Sequence, residues 1–197
     1  SFATVLKLME EYPDYRFMSS QPQLYQFLKD RYPELYERLK QRVKEQRWEP
    51  EGGMWLEADC NLTSGESLVR QFVNGKRFFR EEFGVDNRIL WLPDVFGYSG
   101  ALPQIMKNFG LKGFIFGRGN EKYEKNEKGE WQRCKDPLEF IWKGPDGSTC
   151  TAFHLRYWYN NAQRFSEDVN KNLLQMNYFI DMYKDFEVTP YILLMNG

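Results

Sequence analysis

The chain has 197 residues, a formal net charge of −1 and a hydrophobic fraction of 42%, which suits one sizeable core in one domain or a piece of a larger one. Near-neutral charge argues against a nucleic-acid platform, and no apolar run approaches the length of a membrane span. Three cysteines without a C-x-x-C spacing make neither a disulfide framework nor a cysteine zinc site; with no secretory signal read, Cys60, Cys134 and Cys150 predict a reducing, cytoplasmic location.

In chain order, Phe2, Val5, Leu6 and Met9 fall on one helical face. Tyr15 to Met18 is a short strand candidate. Residues 22–31 and 33–46 read as helices, each opening on a proline that the first turn tolerates. The basic run from Arg38 to Arg47 reads as a solvated helix face. Trp48 to Leu56 contains a strand broken by Pro50 and Gly52-Gly53. Thr63-x-x-Glu66 reads as a capping box opening a helix to about Phe83, with Asn74-Gly75 inside it. Ile89 to Leu92 is a buried strand, and a helix follows from about Gly100 to Phe109, ended by Gly110. Gly113 to Gly117 is the next strand. Residues 119–137 are polar and charged and read as a long excursion loop. Glu139 to Lys143 and Thr149 to Leu155 flank Gly144-Pro145-Asp146-Gly147 and predict a hairpin. Ser166 is the expected cap of a helix to about Asp185, and Tyr191 to Met195 the last buried strand.

Short apolar strands alternating with helices indicate an α/β fold, with a largely parallel sheet covered by helices. Polar residues stand just past several strands: Ser19-Ser20, Asp59, Asp94, Arg118 and Asn196. In α/β barrels and open sheets the site lies at these carboxyl ends. Asp94, inside ILWLPDVFGYSGALPQIM (89–106), has no basic neighbour in sequence. It is either a turn or N-cap residue or a carboxylate pointing into a cleft. Phe96-Gly97 tightens the turn and Ser99 is an alternative cap, which leaves the second role open to it. A cleft aspartate serves as nucleophile, general acid or base, or oxygen ligand for a metal. Glycoside hydrolysis needs a second carboxyl, about 5 Å away in retaining enzymes; Asp59 and Glu57 are the candidates here. His154, the single histidine, reads as a core residue. No serine or cysteine nucleophile pairs with it, and the scattered acids do not make a zinc site within the chain.

Two blocks, WEPEGGMWLEADCNLTSGESLVRQF (48–72) and FFREEFGVDNRILWLPDVFGYSGALPQIM (78–106), resemble glycoside hydrolase family 38, the α-mannosidases. The resemblance continues through FGLKGFIFGR and the F-x-W-x-G-x-DG segment (140–147) into ILLMNG, covering essentially the whole chain. The W-L-P-D-x-F-G-x-S-x-x-x-P block (91–103) is its specific part. The fold it implies is a seven-stranded β/α barrel, with residues 1–197 an incomplete segment of one catalytic domain without internal boundary. The activity it implies is hydrolysis of terminal α-mannosides with retention of configuration. Asp94 would be both the nucleophile and a zinc ligand, with the zinc orienting sugar hydroxyls.

Arg118 falls where some members carry an arginine near the nucleophile. An arginine there would hold Asp94 in place by a charge-assisted hydrogen bond. Tyr159, beside Trp158, falls where the family carries a substrate-contacting tyrosine. Asp59 matches an acidic position facing the cleft, and Trp55 joins these as a candidate substrate-binding residue. The family's H-x-D zinc motif, its acid/base aspartate and a further zinc histidine are expected outside these residues. A polypeptide of residues 1–197 alone is therefore expected to bind zinc weakly or not at all and to lack mannosidase activity. The expected partner is a carbohydrate, with no nucleic acid or membrane, and any homo-oligomer forms through domains absent here. The alternatives are a metal-dependent carbohydrate deacetylase on a related distorted barrel and a non-catalytic sugar-binding module.

Overall fold

The computed structural model describes residues 1–119, 123–134, 136–155, 158–160, 162–163, 165–184, 186, 189 and 191–195. Helix α1 (Phe2–Glu11) buries Val5, Leu6 and Met9, the stripe read from the sequence. Strand β1 (Phe17–Ser19) leads into α2 (Pro22–Arg31) and α3 (Pro33–Lys44), both with proline in the first turn. Strand β2 (Trp48–Pro50) then pairs parallel to β1, with Trp48 opposite Phe17. The long α4 (Gly65–Phe83) carries a buried face that includes Phe72 and Phe79.

The cap of α4 differs from the expected capping box by one residue. Ser64 is the N-cap and its hydroxyl accepts from the Ser67 N–H at 3.2 Å. Thr63 donates instead to the Asp59 carbonyl at 3.0 Å, and Glu66 pairs with Arg70. Gly75 has a packing reason to sit mid-helix. A Cβ there would come within 2.4 Å of the Met54 carbonyl carbon and 2.5 Å of the Gly53 oxygen. The helix therefore lies directly on the main chain leaving β2, where Trp55 N–H bonds the Gln71 carbonyl at 2.9 Å.

The second half holds β3 (Ile89–Leu92), α5 (Leu102–Asn108), β4 (Gly113–Phe116), β5 (Tyr123–Lys125), β6 (Trp131–Arg133), β7 (Glu139–Lys143), β8 (Thr149–His154) and α6 (Val169–Tyr183). Its main sheet has the order β3-β4-β8-β7. The first three strands run parallel and β7 returns antiparallel as the predicted hairpin. Parallel strands covered by helices are buried and apolar, and Leu90, Leu92, Phe114 and Ala152 are at most 1% exposed. An isolated parallel bridge, Gly52 to Leu90, joins the β1–β2 pair to this sheet. Glu51 reinforces the join: its Oε1 accepts the N–H groups of Arg88 and Ile89, each at 3.1 Å.

Three sequence expectations are corrected. Within 119–137, strands β5 and β6 form an antiparallel hairpin rather than a plain loop. Its turn is closed by Gly129, at φ 77°, donating to the Asn126 carbonyl. The cap of α6 is Asp168, which accepts from the Asn170 and Lys171 N–H groups; Ser166 accepts from the Asp168 N–H instead, at 3.0 Å. The expected helix end at Asp185 lies outside the described residues. Residues 191–195 form no strand: Tyr191 is 75% exposed and the Met195 carbonyl accepts from Ala162 N–H. A strand needs a neighbouring ladder, and no described strand flanks this run. The described strands form three sheets, the largest an open mixed one, and do not close a seven-stranded barrel. Among the described residues, no helix is long and apolar enough to cross a membrane.

Candidate active site

Asp94 leaves the sheet two residues after β3 ends. The neighbouring strand end passes in contact with it, since a Cβ on Gly117 would fall 2.2 Å from the Pro93 carbonyl oxygen. That approach sets Arg118 against Asp94. Arg118 Nε and Nη2 both address Asp94 Oδ1, and Nε also reaches the Asp94 carbonyl at 3.2 Å. The Tyr159 hydroxyl donates to Asp94 Oδ2 at 3.1 Å. Both carboxylate oxygens are thereby oriented, yet 41% of the side chain stays open.

The guanidinium is itself held by two aromatic rings. It lies 4.3 Å from the centroid of Phe96 and 4.5 Å from that of Trp158, contacts of about 0.5–2 kcal/mol each. Trp158 takes φ 76°, an uncommon backbone state for a bulky residue. Phe96 is 77% exposed. A cavity of about 290 Å³ lies alongside, lined by Gly117, Arg118, Gly119 and Trp158. Phe96 was read from the sequence only as part of a tight turn. The signal that marks it is an aromatic two residues past a strand-end carboxylate, on no apolar repeat. The turn bonds go elsewhere: Ser99 Oγ accepts from Ala101 N–H at 3.2 Å, and the N-cap of α5 is Ala101.

A second wall runs along the 94–97 turn. Asp59 Oδ1 accepts from Asn61 N–H at 2.9 Å, and Cys60 N–H bonds the Gly97 carbonyl at 3.1 Å. A Cβ on Gly97 would meet the Asn61 and Asp59 side chains at 2.3 and 2.8 Å, so glycine is what lets the two segments touch. Glu57 accepts from Ser20 Oγ at 2.6 Å. Its carboxyl pKa is raised, first by burial and further by the charge of Asp94, while hydrogen bonds from Ser20 and Gln21 pull it back.

The Glycosyl hydrolases family 38 N-terminal domain matches residues 1–197. The chain belongs to glycoside hydrolase family 38. Among curated relatives, alpha-mannosidase G of Dictyostelium discoideum is 40% identical over 189 residues, 93% of this chain and 17% of that protein. Alpha-mannosidase 2C1 of Homo sapiens is 41% identical over 150 residues, 75% of this chain and 14% of that protein. The fold matches the crystal structure of an alpha-mannosidase from Enterococcus faecalis, with a TM-score of 0.84 at 23% identity over 99% of this chain and 21% of that one. The chain thus spans less than a fifth of the length of these curated relatives.

In this family 38 segment, Asp94, Arg118 and Tyr159 meet at the strand ends, and Asp59 stands on the adjoining wall. Trp55 does not join them: it packs edge-on to Phe78 at 5.6 Å and donates to Gln23 at 3.1 Å, on the helical side. His154 is a core residue, 3% exposed, with Nε2 3.1 Å from the Gly117 carbonyl. Cys60 and Cys150 are buried thiols whose pKa burial pushes up to about 11, which keeps them unreactive.

Zinc was tested against the donors present. A structural or catalytic zinc takes three or four protein ligands. Among the described residues no group of three or more His, Cys, Asp or Glu is placed to share an ion. Asp94, the ligand that the family resemblance implies, already accepts hydrogen bonds at both oxygens. The described residues by themselves do not fit the metal.

Proposed function

We propose that the polypeptide carrying this segment hydrolyses terminal α-mannosides with retention of configuration, with Asp94 as nucleophile. The observation that carries the reading is a strand-end carboxylate gripped by Arg118 and Tyr159 yet open to a cleft, in a family 38 domain. The names of the relatives, alpha-mannosidases, supply the substrate class.

A carboxylate oxygen of Asp94 attacks the anomeric carbon as the bond to the leaving oxygen breaks. The leaving oxygen takes its proton from an acid expected outside residues 1–197. Water then attacks the same carbon, giving its proton to that same acid residue now deprotonated, and displaces the Asp94 carboxylate, so two inversions give net retention. Arg118 and Tyr159 fix the rotamer of Asp94 so that the attack starts from an aligned geometry. Asp59 and Tyr159 face the substrate. Zinc belongs to the proposal as a group that would orient sugar hydroxyls, with Asp94 one ligand among others outside this segment; no step above depends on it. The seven-stranded barrel, the cytoplasmic location and assembly through other domains stand as proposals on the same footing.

The test uses the longer polypeptide and an aryl α-mannoside, with and without a chelator. Asp94→Asn is expected to lose turnover by about 10³-fold or more, roughly 4 kcal/mol of transition-state stabilisation, with its thermal midpoint little changed. Undiminished turnover in Asp94→Asn would return this carboxylate to the role of a turn residue.

A further inference from the structure

Near enough to Asp94 for its charge to be felt, polar side chains gather that the chemistry above does not use. Ser20 and Gln21 follow directly on β1, and Glu57 arrives from the loop after β2. Ser20 Oγ donates to Glu57 Oε1 at 2.6 Å, and the Gln21 side chain is near enough to draw the Glu57 pKa down. The segment around Glu57 runs beside the Asp94 turn, as the contacts of Asp59 and Asn61 with Gly97 require.

The backbone beneath this cluster is held in an unfavourable state. Gln21 sits at φ 62°, a left-handed conformation that L side chains seldom adopt. It is supported from behind by a buried relay: Trp48 Nε1 donates to the Tyr25 hydroxyl at 2.9 Å, which donates to the Ser19 carbonyl at 2.8 Å. From the side, Gly52 leaves room for Ser20, since a Cβ there would lie 2.9 Å from the Ser20 Cβ. Joining β1 to β2 does not need this construction, because those strands already pair in register over Phe17 to Ser19. A carboxylate has room for about four hydrogen bonds. Ser20 uses one, which leaves acceptor capacity on a partly buried group that feels the charge of Asp94.

On the α-mannoside reading, we infer that Ser20, Gln21 and Glu57 form a further wall of the sugar site, with Glu57 accepting a hydrogen bond from one ring hydroxyl of the substrate. Glu57 acts here as a binding residue, and the strained turn sets its direction.

The test is calorimetric binding of methyl α-mannoside and its four monodeoxy analogues to the longer polypeptide. Wild type should bind one analogue about tenfold more weakly than the parent, the scale of one hydrogen bond to a charged group. Glu57→Gln, which keeps shape and the Ser20 contact, should erase that preference and leave the other three ratios unchanged. Ser20→Ala, which removes the hydroxyl that aims the Glu57 carboxylate, should shrink the same ratio; it also serves should Glu57→Gln fail to show cooperative unfolding. A Glu57→Gln profile identical to wild type, or one weakened equally for all five sugars, overturns the proposal. Should wild type hydrolyse no α-mannoside, the mannosidase reading fails separately. The same titrations with a panel of methyl glycosides then decide the wall, and sugar binding that ignores Glu57, or no sugar binding at all, overturns it.

Discussion

Two aromatic assemblies in this chain use the same residue types for opposite ends. On the helical side, Tyr25, Trp48 and Phe79 are at most 1% exposed. Tyr25 meets Trp48 and Phe79 edge-on at 6.4 and 5.5 Å, and the indole and phenol polar atoms satisfy each other. At the strand ends, Phe96 and Trp158 face a guanidinium, and Phe96 is mostly in solvent. A ring whose neighbours are rings stabilises by area and edge contacts. A ring whose neighbour is a cation beside a carboxylate spends its surface on direction. An aromatic fraction of 17% contains both and separates neither; the partner does.

The sharpest way to break the comparison is to truncate one member of each assembly. Trp48→Ala removes a fully buried indole and leaves the Tyr25 hydroxyl without its donor, an expected cost of about 3–5 kcal/mol in thermal or denaturant unfolding. A midpoint within a degree of wild type would mean that the helical cluster is not the stability core it looks like. Next in size is Gly75→Ala. In an exposed helix this change stabilises by up to about 1 kcal/mol. Here the added methyl meets the Met54 and Gly53 main chain, so the sign should reverse to about 1–3 kcal/mol of destabilisation. Trp158→Gly has the smallest effect on stability and sharpens the contrast. It relieves the positive φ, worth of order 1 kcal/mol, while stripping one face from Arg118. The expected result is an unchanged or higher thermal midpoint with kcat/KM down by about tenfold. Loss of both together would make Trp158 an ordinary packing residue.

Much of this was legible in the residues. The stripe of Val5, Leu6 and Met9 gave α1, and the apolar runs at 89–92 and 113–116 gave two adjacent parallel strands. Their ends then located Asp94 and Arg118, because a parallel sheet brings neighbouring carboxyl ends together. What failed lacked a local signal. Strands β5 and β6 carry charged and exposed residues, with Trp131 69% exposed, so no alternation marks them. Residues 191–195 carry the opposite lesson: an apolar run announces burial, and pairing is decided by neighbours elsewhere in the chain. Thr63 and Ser64 are chemically equivalent caps, and only the path of the chain past Asp59 chooses between them. The left-handed states of Gln21 and Trp158 have no signature in residues that usually avoid them. Trp55 carries the same ambiguity as the aromatic fraction: its type suits a sugar face, and its neighbours, Phe78 and Gln23, lie on the helical side.

The join between β2 and β3 carries one more consequence. Elsewhere in the sheet, strand is held to strand by main-chain groups that every non-proline residue supplies, so those ladders are indifferent to spelling. Across this join the amides of Arg88 and Ile89 rest on the carboxylate of Glu51. Beside the single Gly52–Leu90 bridge, continuity between the Glu57 wall and the Asp94 wall leans on two side chains, Glu51 and Asn87, and sequence drift tolerated in the neighbouring strands would loosen the two halves of the cleft here.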